Sequence, residues 1–264
     1  MLKTPFRGFQ AFRGGQLALN GLKNGVISTR LYHSRDHPSS NKIVDPKSVE
    51  SVLLTKALEY IPQYGFSNAC ITQAIRELDY PDSIHSAIST NPSGNSPEFQ
   101  LTLHWLKTQR QKLEQHILDP NSEYHKITDE YERVSYAIKK RLEFNEPVVG
   151  RLVGGISQLV VPYNIPQSLE ELHNLSDDIA FYAGDMSHDF AWYSKRVGFS
   201  SIYVSSELYM LQDSSDGYRR TKNFVDEKVL GLKGLGSAYN DIEEWGIFNA
   251  ISLVNMIKSQ LVRG

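Results

Sequence analysis

DFAWYSKRVGFSSIYVSSELYML, residues 189–211, is the stretch on which the fold class turns. It reads as one long helix, apolar almost all round, and a helix of that kind belongs in the interior of a helical bundle as its most buried member. Just upstream, Gly184 and Asp185 mark a turn. Before them lies a helix capped by Ser168 and running to about Tyr182. Asp213–Gly217 form the turn that follows, and Tyr218 to about Leu230 is helical. Phe99, Leu103, Leu106, Leu113 and Ile117 place one apolar face on a helix from Pro97 to Ile117. A second helix runs from Tyr124 to Phe144, and the apolar run Val148–Val161 reads as buried. Nearer the N-terminus, helices over 48–61, 68–78 (capped by Ser67) and 83–88 are separated by Pro62, Gly65 and a short polar turn, and Thr90–Pro97 is a loop. Strand-type alternation nowhere extends beyond a few residues. The reading is all-α, with nine or ten helices and no internal repeat.

The ends of the chain differ from its middle. Residues 1–35 carry six Lys and Arg interleaved with Phe and Leu and no acid, which reads as a mitochondrial transit peptide, with Arg30–Ser34 resembling a matrix-peptidase site. Residues 36–47 read as a linker. Loss of residues 1–32 lowers the net charge from −2 to −7. Residues 231–239 read as a glycine-rich hinge. Residues 240–264 project as an amphipathic helix with Ile247, Ile251, Val254, Ile257 and Leu261 on its apolar arc, suited to a membrane interface or to docking on its own domain. With 264 residues the chain can bury a sizeable core, and its one cysteine excludes a disulfide framework, a thiolate zinc site and an iron–sulfur cluster built by this chain alone.

Catalytic motifs are wanting. The glycines of Gly231–Gly236 follow no strand, so a nucleotide-binding role is not supported. Glu170 and His173 have the spacing of a di-iron ligand pair, but no second copy exists and a solvated helix face is the simpler reading. Asp177, Asp178, Asp185, His188 and Asp189 could bind a divalent cation. Helix capping, by Asp189 in particular, accounts for them more simply. The helices over residues 68–88 resemble a helix-turn-helix. A recognition helix needs cations for phosphates and base edges, yet no Lys or Arg lies between Arg76 and Lys107, while Glu77, Asp79, Asp82 and Glu98 do. Nucleic acid is therefore not an expected partner.

Aromatic residues crowd 181–203. Trp192 and Tyr193 project about 100° apart on a helix, so one of them must reach a surface, where such residues favour partner contacts.

Three blocks carry a family resemblance: VPYNIPQSL at 161–169, DDIAFYAGDMSHDFAWYSKR at 177–196 and SELYMLQDSS at 206–215. With them, the chain resembles the ninth-protein family of the mitochondrial coenzyme Q (ubiquinone) biosynthesis pathway, strongly over residues 160–230 and more weakly from Ser48 to Val149. The resemblance implies a TetR-regulator-like helical bundle with a degenerate N-terminal helix-turn-helix subdomain (48–96), a helical lipid-binding domain (97–230) and a hinged C-terminal amphipathic helix. It implies no catalysis and no cofactor. It implies a bound isoprenoid lipid or phospholipid, and peripheral attachment to the matrix side of the inner membrane. The implied partners are the di-iron demethoxyubiquinone hydroxylase and other proteins of the coenzyme Q synthesis complex; a homodimer is compatible with the sequence. The family's partner patch maps onto Ile179 (methionine in relatives), Tyr182, Asp185, Asp189, Trp192, Tyr193 and Arg196. Periodicity singles out Trp105, Leu159, Phe181, Phe199, Tyr203, Leu208 and Met210 as lining the lipid pocket. The rivals are a ligand-responsive TetR-type transcription regulator and an enzyme built on the Asp177–Asp189 cluster.

Overall fold

The computed structural model describes residues 44, 47–89, 95–186 and 189–235. Among them there are helices and no strands, as the scarcity of alternating patterns predicts. The helices are α1 (Val49–Leu58), α2 (Ile61–Tyr64), α3 (Asn68–Glu77), α4 (Ile84–Ser89), α5 (Pro97–Leu118), α6 (Glu130–Glu143), α7 (Val149–Leu159), α8 (Ile165–Ala183), α9 (Asp189–Met210) and α10 (Arg219–Leu235). The all-α bundle is compatible with a TetR-like arrangement. No described helix is long and apolar enough to cross a membrane.

Local chemistry explains the ends of these helices. Pro97 occupies the first turn of α5, where its missing N–H is not needed, and Ser96 Oγ accepts from the Phe99 N–H. Asp129 caps α6 by accepting from the N–H groups of Tyr131 and Glu132. Helix α8 ends in a Schellman motif: the Asp185 N–H reaches the Ala180 carbonyl and the Gly184 N–H reaches that of Phe181, with Gly184 at φ +90°. Asp213 holds the α9–α10 turn, accepting from Ser215 and Thr221 through backbone and hydroxyl donors alike. These bonds outweigh burial and keep its carboxyl far below the usual range.

Two apolar clusters form the core. The first gathers α1–α4 around Leu53, Ala57, Ile61, Ile71 and Ile75. The second joins α6, α8, α9 and α10 around Val134, Ile138, Ile179, Phe199, Ile202 and Val225. Helix α5 belongs to both, giving Leu101 and Trp105 to the first and Leu113 and Ile117 to the second. Gly155 of α7 faces the Phe66 ring, where an added Cβ would stand 3.0 Å from the nearest ring carbon.

Several expectations need correction. Helix α9 is not the most buried: its inner stripe includes Phe199, Ile202, Tyr203, Ser206 and Met210, while Tyr193, Val197 and Tyr209 are exposed. The run 148–161 is not a buried segment, because α7 buries only Leu152 and Gly155 and leaves Val153 outside. Residues 124–144 are two pieces, a 3-10 turn (Glu123–Lys126) and α6. Ser168 does not cap α8, which starts three residues earlier. Its hydroxyl instead bonds back to the Asn164 carbonyl. Ser67 stands at the start of α3, but its hydroxyl donates to the Tyr64 carbonyl and caps nothing. The helix expected to stop near Leu230 continues to Leu235 through Gly231 and Gly234, so the first half of the expected hinge is helical. The expected transit peptide and the expected amphipathic tail (Ile247, Ile251, Val254, Ile257, Leu261) lie outside the described residues, as does the side chain of Asp189.

His104 ties α5 to α1 through a 2.8 Å hydrogen bond with Thr55 Oγ1. Burial, helped by Lys107, pushes its pKa down to about 4. The folded state thus keeps His104 neutral while an unfolded chain protonates it near pH 6.5, so its contribution is complete above pH 6.5 and is lost as pH falls toward 4. Urea unfolding at pH 7 and pH 4.5 is expected to show a loss in the wild type that exceeds that of His104→Gln by about 2–3 kcal/mol. Equal losses would sink this assignment.

Candidate functional site

A cavity of about 290 Å³ opens at the seam between the two cores, walled by α5, α6, α7, α8 and α9. Its apolar wall comes from Leu106 of α5, Ile156 and Leu159 of α7, Leu169 and Leu172 of α8, and Val204 and Leu208 of α9. The size is near the lower end for a small-ligand site.

Polar groups are confined to a few positions. Arg110 of α5 is buried with Glu171 and Asp178 of α8. It makes bonds of 2.8 and 3.2 Å to the two Glu171 oxygens and one of 2.9 Å to Asp178. Deeper lies a chain in which Arg141 Nη1 donates to Asn145 Oδ1 (2.8 Å), Asn145 Nδ2 donates to Glu207 Oε1 (2.7 Å) and the Tyr203 hydroxyl donates to the same oxygen (2.6 Å). Burial pushes the Tyr203 phenol far above its ordinary range. Arg141 opposes that shift and Glu207 reinforces it, so Tyr203 is a neutral donor at any physiological pH.

Of the residues expected to line a lipid pocket, Leu159, Tyr203 and Leu208 do line this cavity. Phe199 and Met210 are in the second core, and Trp105 is in the first, edge-on to Phe66. Phe181 stacks edge-on with Tyr182 at 5.3 Å and is not part of the lining. Sequence reasoning passed over Ile165, Leu169 and Leu172, although their steps of four and three residues form one helical stripe on α8 that could have marked them. Nothing in the local sequence marks Arg110 or Arg141, whose burial depends on helices far away in the chain.

The expected partner patch divides into a buried base and an exposed tip. Ile179 is in the second core, and the Tyr182 hydroxyl donates to Glu114. Arg196 Nε donates to Asp177 (2.6 Å), Arg196 Nη1 donates to Asp185 (3.0 Å), and Lys195 bridges Asp185 and Glu130. Burial works against the Lys195 charge, but the two carboxylates raise its pKa all the same. The Arg196 guanidinium lies 3.8 Å from the Trp192 ring centroid, and His173 faces the same indole at 5.9 Å. Trp192 is consequently pinned and half-buried, while Tyr193, 64% exposed and edge-on to it, is the residue that reaches the surface. Asp177, Asp178 and Asp185 are thus held by guanidinium and ammonium groups. Among the described residues no three His, Cys, Asp or Glu side chains converge as a metal site. Glu170 is exposed.

The clamp around Arg110 makes a sharp stability expectation. Arg110→Met strands two buried carboxylates and is expected to cost about 3–5 kcal/mol in denaturant unfolding, whereas replacing all three groups (Arg110→Met, Glu171→Leu, Asp178→Leu) costs less than the single change. A single variant as stable as the wild type would contradict the clamp.

Comparison with known proteins completes the picture. A COQ9 family model matches residues 165–236, the span of α8, α9 and α10. The chain is 35% identical over 268 residues to the ubiquinone biosynthesis protein COQ9, mitochondrial, of Saccharomyces cerevisiae, covering 94% of this chain and all of that one. It is 33% identical to the Schizosaccharomyces pombe protein of the same name, covering 89% and 88% of the two chains. Against the Homo sapiens COQ9 the identity is 30%, over 74% of this chain and 60% of that one. Identity at this level across nearly full-length relatives, with the cavity and the charged network lying largely inside the matched helices, means that the chain belongs to the COQ9 family of ubiquinone biosynthesis proteins.

Proposed function

We propose that this chain is a non-enzymatic lipid-binding accessory protein of ubiquinone biosynthesis. It takes up isoprenoid quinone precursors at the matrix face of the inner mitochondrial membrane, presents them to the di-iron demethoxyubiquinone hydroxylase and stabilises that enzyme. The observation that carries the reading is the apolar cavity between α5, α7, α8 and α9. A polyprenylated precursor stays in the bilayer because each Å² of apolar surface brought into water costs about 25 cal/mol. A protein that offers a replacement apolar wall offsets that cost while the head group travels to the enzyme. The carboxylates around the cavity favour binding over catalysis, since Glu171 is engaged by Arg110, and Glu207 by Tyr203 and Asn145. The relatives are named as mitochondrial proteins, which supports that location. The Tyr193 tip, standing on a pinned Trp192, has the form of a protein-contact hot spot.

Organic extraction of the purified chain followed by mass spectrometry is expected to recover isoprenoid or phospholipid in near-stoichiometric amount; recovery of none would undercut the carrier role. Tyr193→Glu should leave the fold intact because the side chain is exposed. It is expected to weaken capture of the hydroxylase about tenfold or more, ~1.4 kcal/mol at least. Undiminished capture would remove this patch from the interface.

A further inference from the structure

Three of the buried arginines lie close to the cavity or the aromatic patch, and two of them are fully answered. Arg110 has Glu171 and Asp178; Arg196 has Asp177 and Asp185. Arg141 is different. It is 1% exposed and lines the cavity, yet no carboxylate among the described residues pairs with it directly. Its polar bond is the one to Asn145, its guanidinium stands 5.4 Å from the Tyr203 ring centroid, and its Nε–H has no acceptor. A buried cationic donor left without an acceptor is costly, and native interiors seldom carry one without a reason.

The walls also have a polarity gradient. Arg141, Tyr203 and Glu207 make the buried end. Ile165 and Leu169, on the first turns of α8, are 40% and 58% exposed and make the outer rim. A site that takes an amphiphile tail first would be arranged the other way, with the polar groups at the rim. The lining charges are Arg110, Arg141, Glu171 and Glu207, which balance, and Asp178 behind Arg110 tips the surroundings negative. A full anion is therefore poorly matched, and a neutral carbonyl, hydroxyl or ether oxygen fits.

We infer that the cavity receives its amphiphile head first, with a neutral oxygen acceptor of the head held by the Arg141 guanidinium and the apolar tail leaving past Ile165 and Leu169. This rests on the lipid-binding reading above and adds to it the anchor and the orientation. Tyr203, whose hydrogen is committed to Glu207, keeps an oxygen lone pair that can accept from a hydroxyl on the same head.

The test uses the full chain and three probes whose tails match to within one carbon: decyl-1,4-benzoquinone, decylbenzene and decanoate. Calorimetry is expected to show the quinone binding about tenfold or more tighter than decylbenzene, with decanoate no tighter than decylbenzene. Arg141→Met is expected to erase the quinone's advantage while leaving decylbenzene unchanged, and Arg141→Lys to keep part of it. Equal binding of quinone and decylbenzene to the wild type would overturn the anchor, and tightest binding by decanoate would overturn the neutral head. If none of the three binds, the lipid-binding reading falls together with this one. The orientation is read on the wild type, independently of whether the variants fold, by a decyl-1,4-benzoquinone with a diazirine at the tail end. Photoadducts on the rim around Ile165 and Leu169 are expected. Adducts on Arg141, Tyr203 or Glu207 would reverse the orientation.

Discussion

A guanidinium sealed between two carboxylates ties α5 to α8 where the two apolar clusters meet. Arg110 comes from the one helix shared by both apolar clusters, and Glu171 and Asp178 come from the helix that carries the outer wall of the cavity. Removing three charges from water consumes most of what their attraction returns, so the clamp contributes little net stability. What it contributes is discreteness. A slide of one turn, about 5.4 Å, would break all three of the bonds that Arg110 makes to Glu171 and Asp178. The cavity persists at the seam because the helices bounding it are held by directional bonds there, and apolar collapse is free to close only the cores on either side.

Much of this was legible in the chain and some was not, for separable reasons. Helices follow from local rules: proline in a first turn at Pro97, an acid cap at Asp129 and a glycine in the left-handed conformation at Gly184 lie near the boundaries they produce. The errors arose where a local signal had a rival. Ser168 and Ser67 resemble caps, but each hydroxyl finds a backbone carbonyl nearby, and α8 begins instead at the turn that Pro166 tolerates. Helix α9 is apolar on more than one face because one face fills the core, another lines the cavity, and Tyr193 points outward. Hydrophobicity alone cannot separate these uses, which is why Phe199 and Met210 were grouped with Tyr203 and Leu208. The arginines at the cavity could not be found from spacing at all, since their partners are 61 to 68 residues away for Arg110.

The placement of charge differs between the N-terminal helices and the helices around the cavity. Between Glu77 and Leu106 the chain carries acids and no Lys or Arg, so α4, which lies wholly inside that span, offers no cation to a phosphate. Arg110, Arg141 and Arg196, the arginines of the charged network, are all buried. A charge buried between helices orders a wall and cannot also steer a polyanion, so the same residues that organise the cavity are unavailable for a backbone of phosphates.

Consecutive residues on α8 connect the cavity to the aromatic patch. Asp178 faces Arg110 at the cavity, and Asp177, turned about 100° away, faces Arg196 beneath Trp192. On α9, Trp192 and Tyr203 are eleven residues apart, about 16 Å along one unbroken helix. Arg196 is held by Asp185 and the Trp192 carbonyl as well as by Asp177, so the cation beneath the indole has three acceptors. The cavity and the patch are two faces of one charged layer, with Asp178 serving Arg110 at the one and Asp177 serving Arg196 at the other.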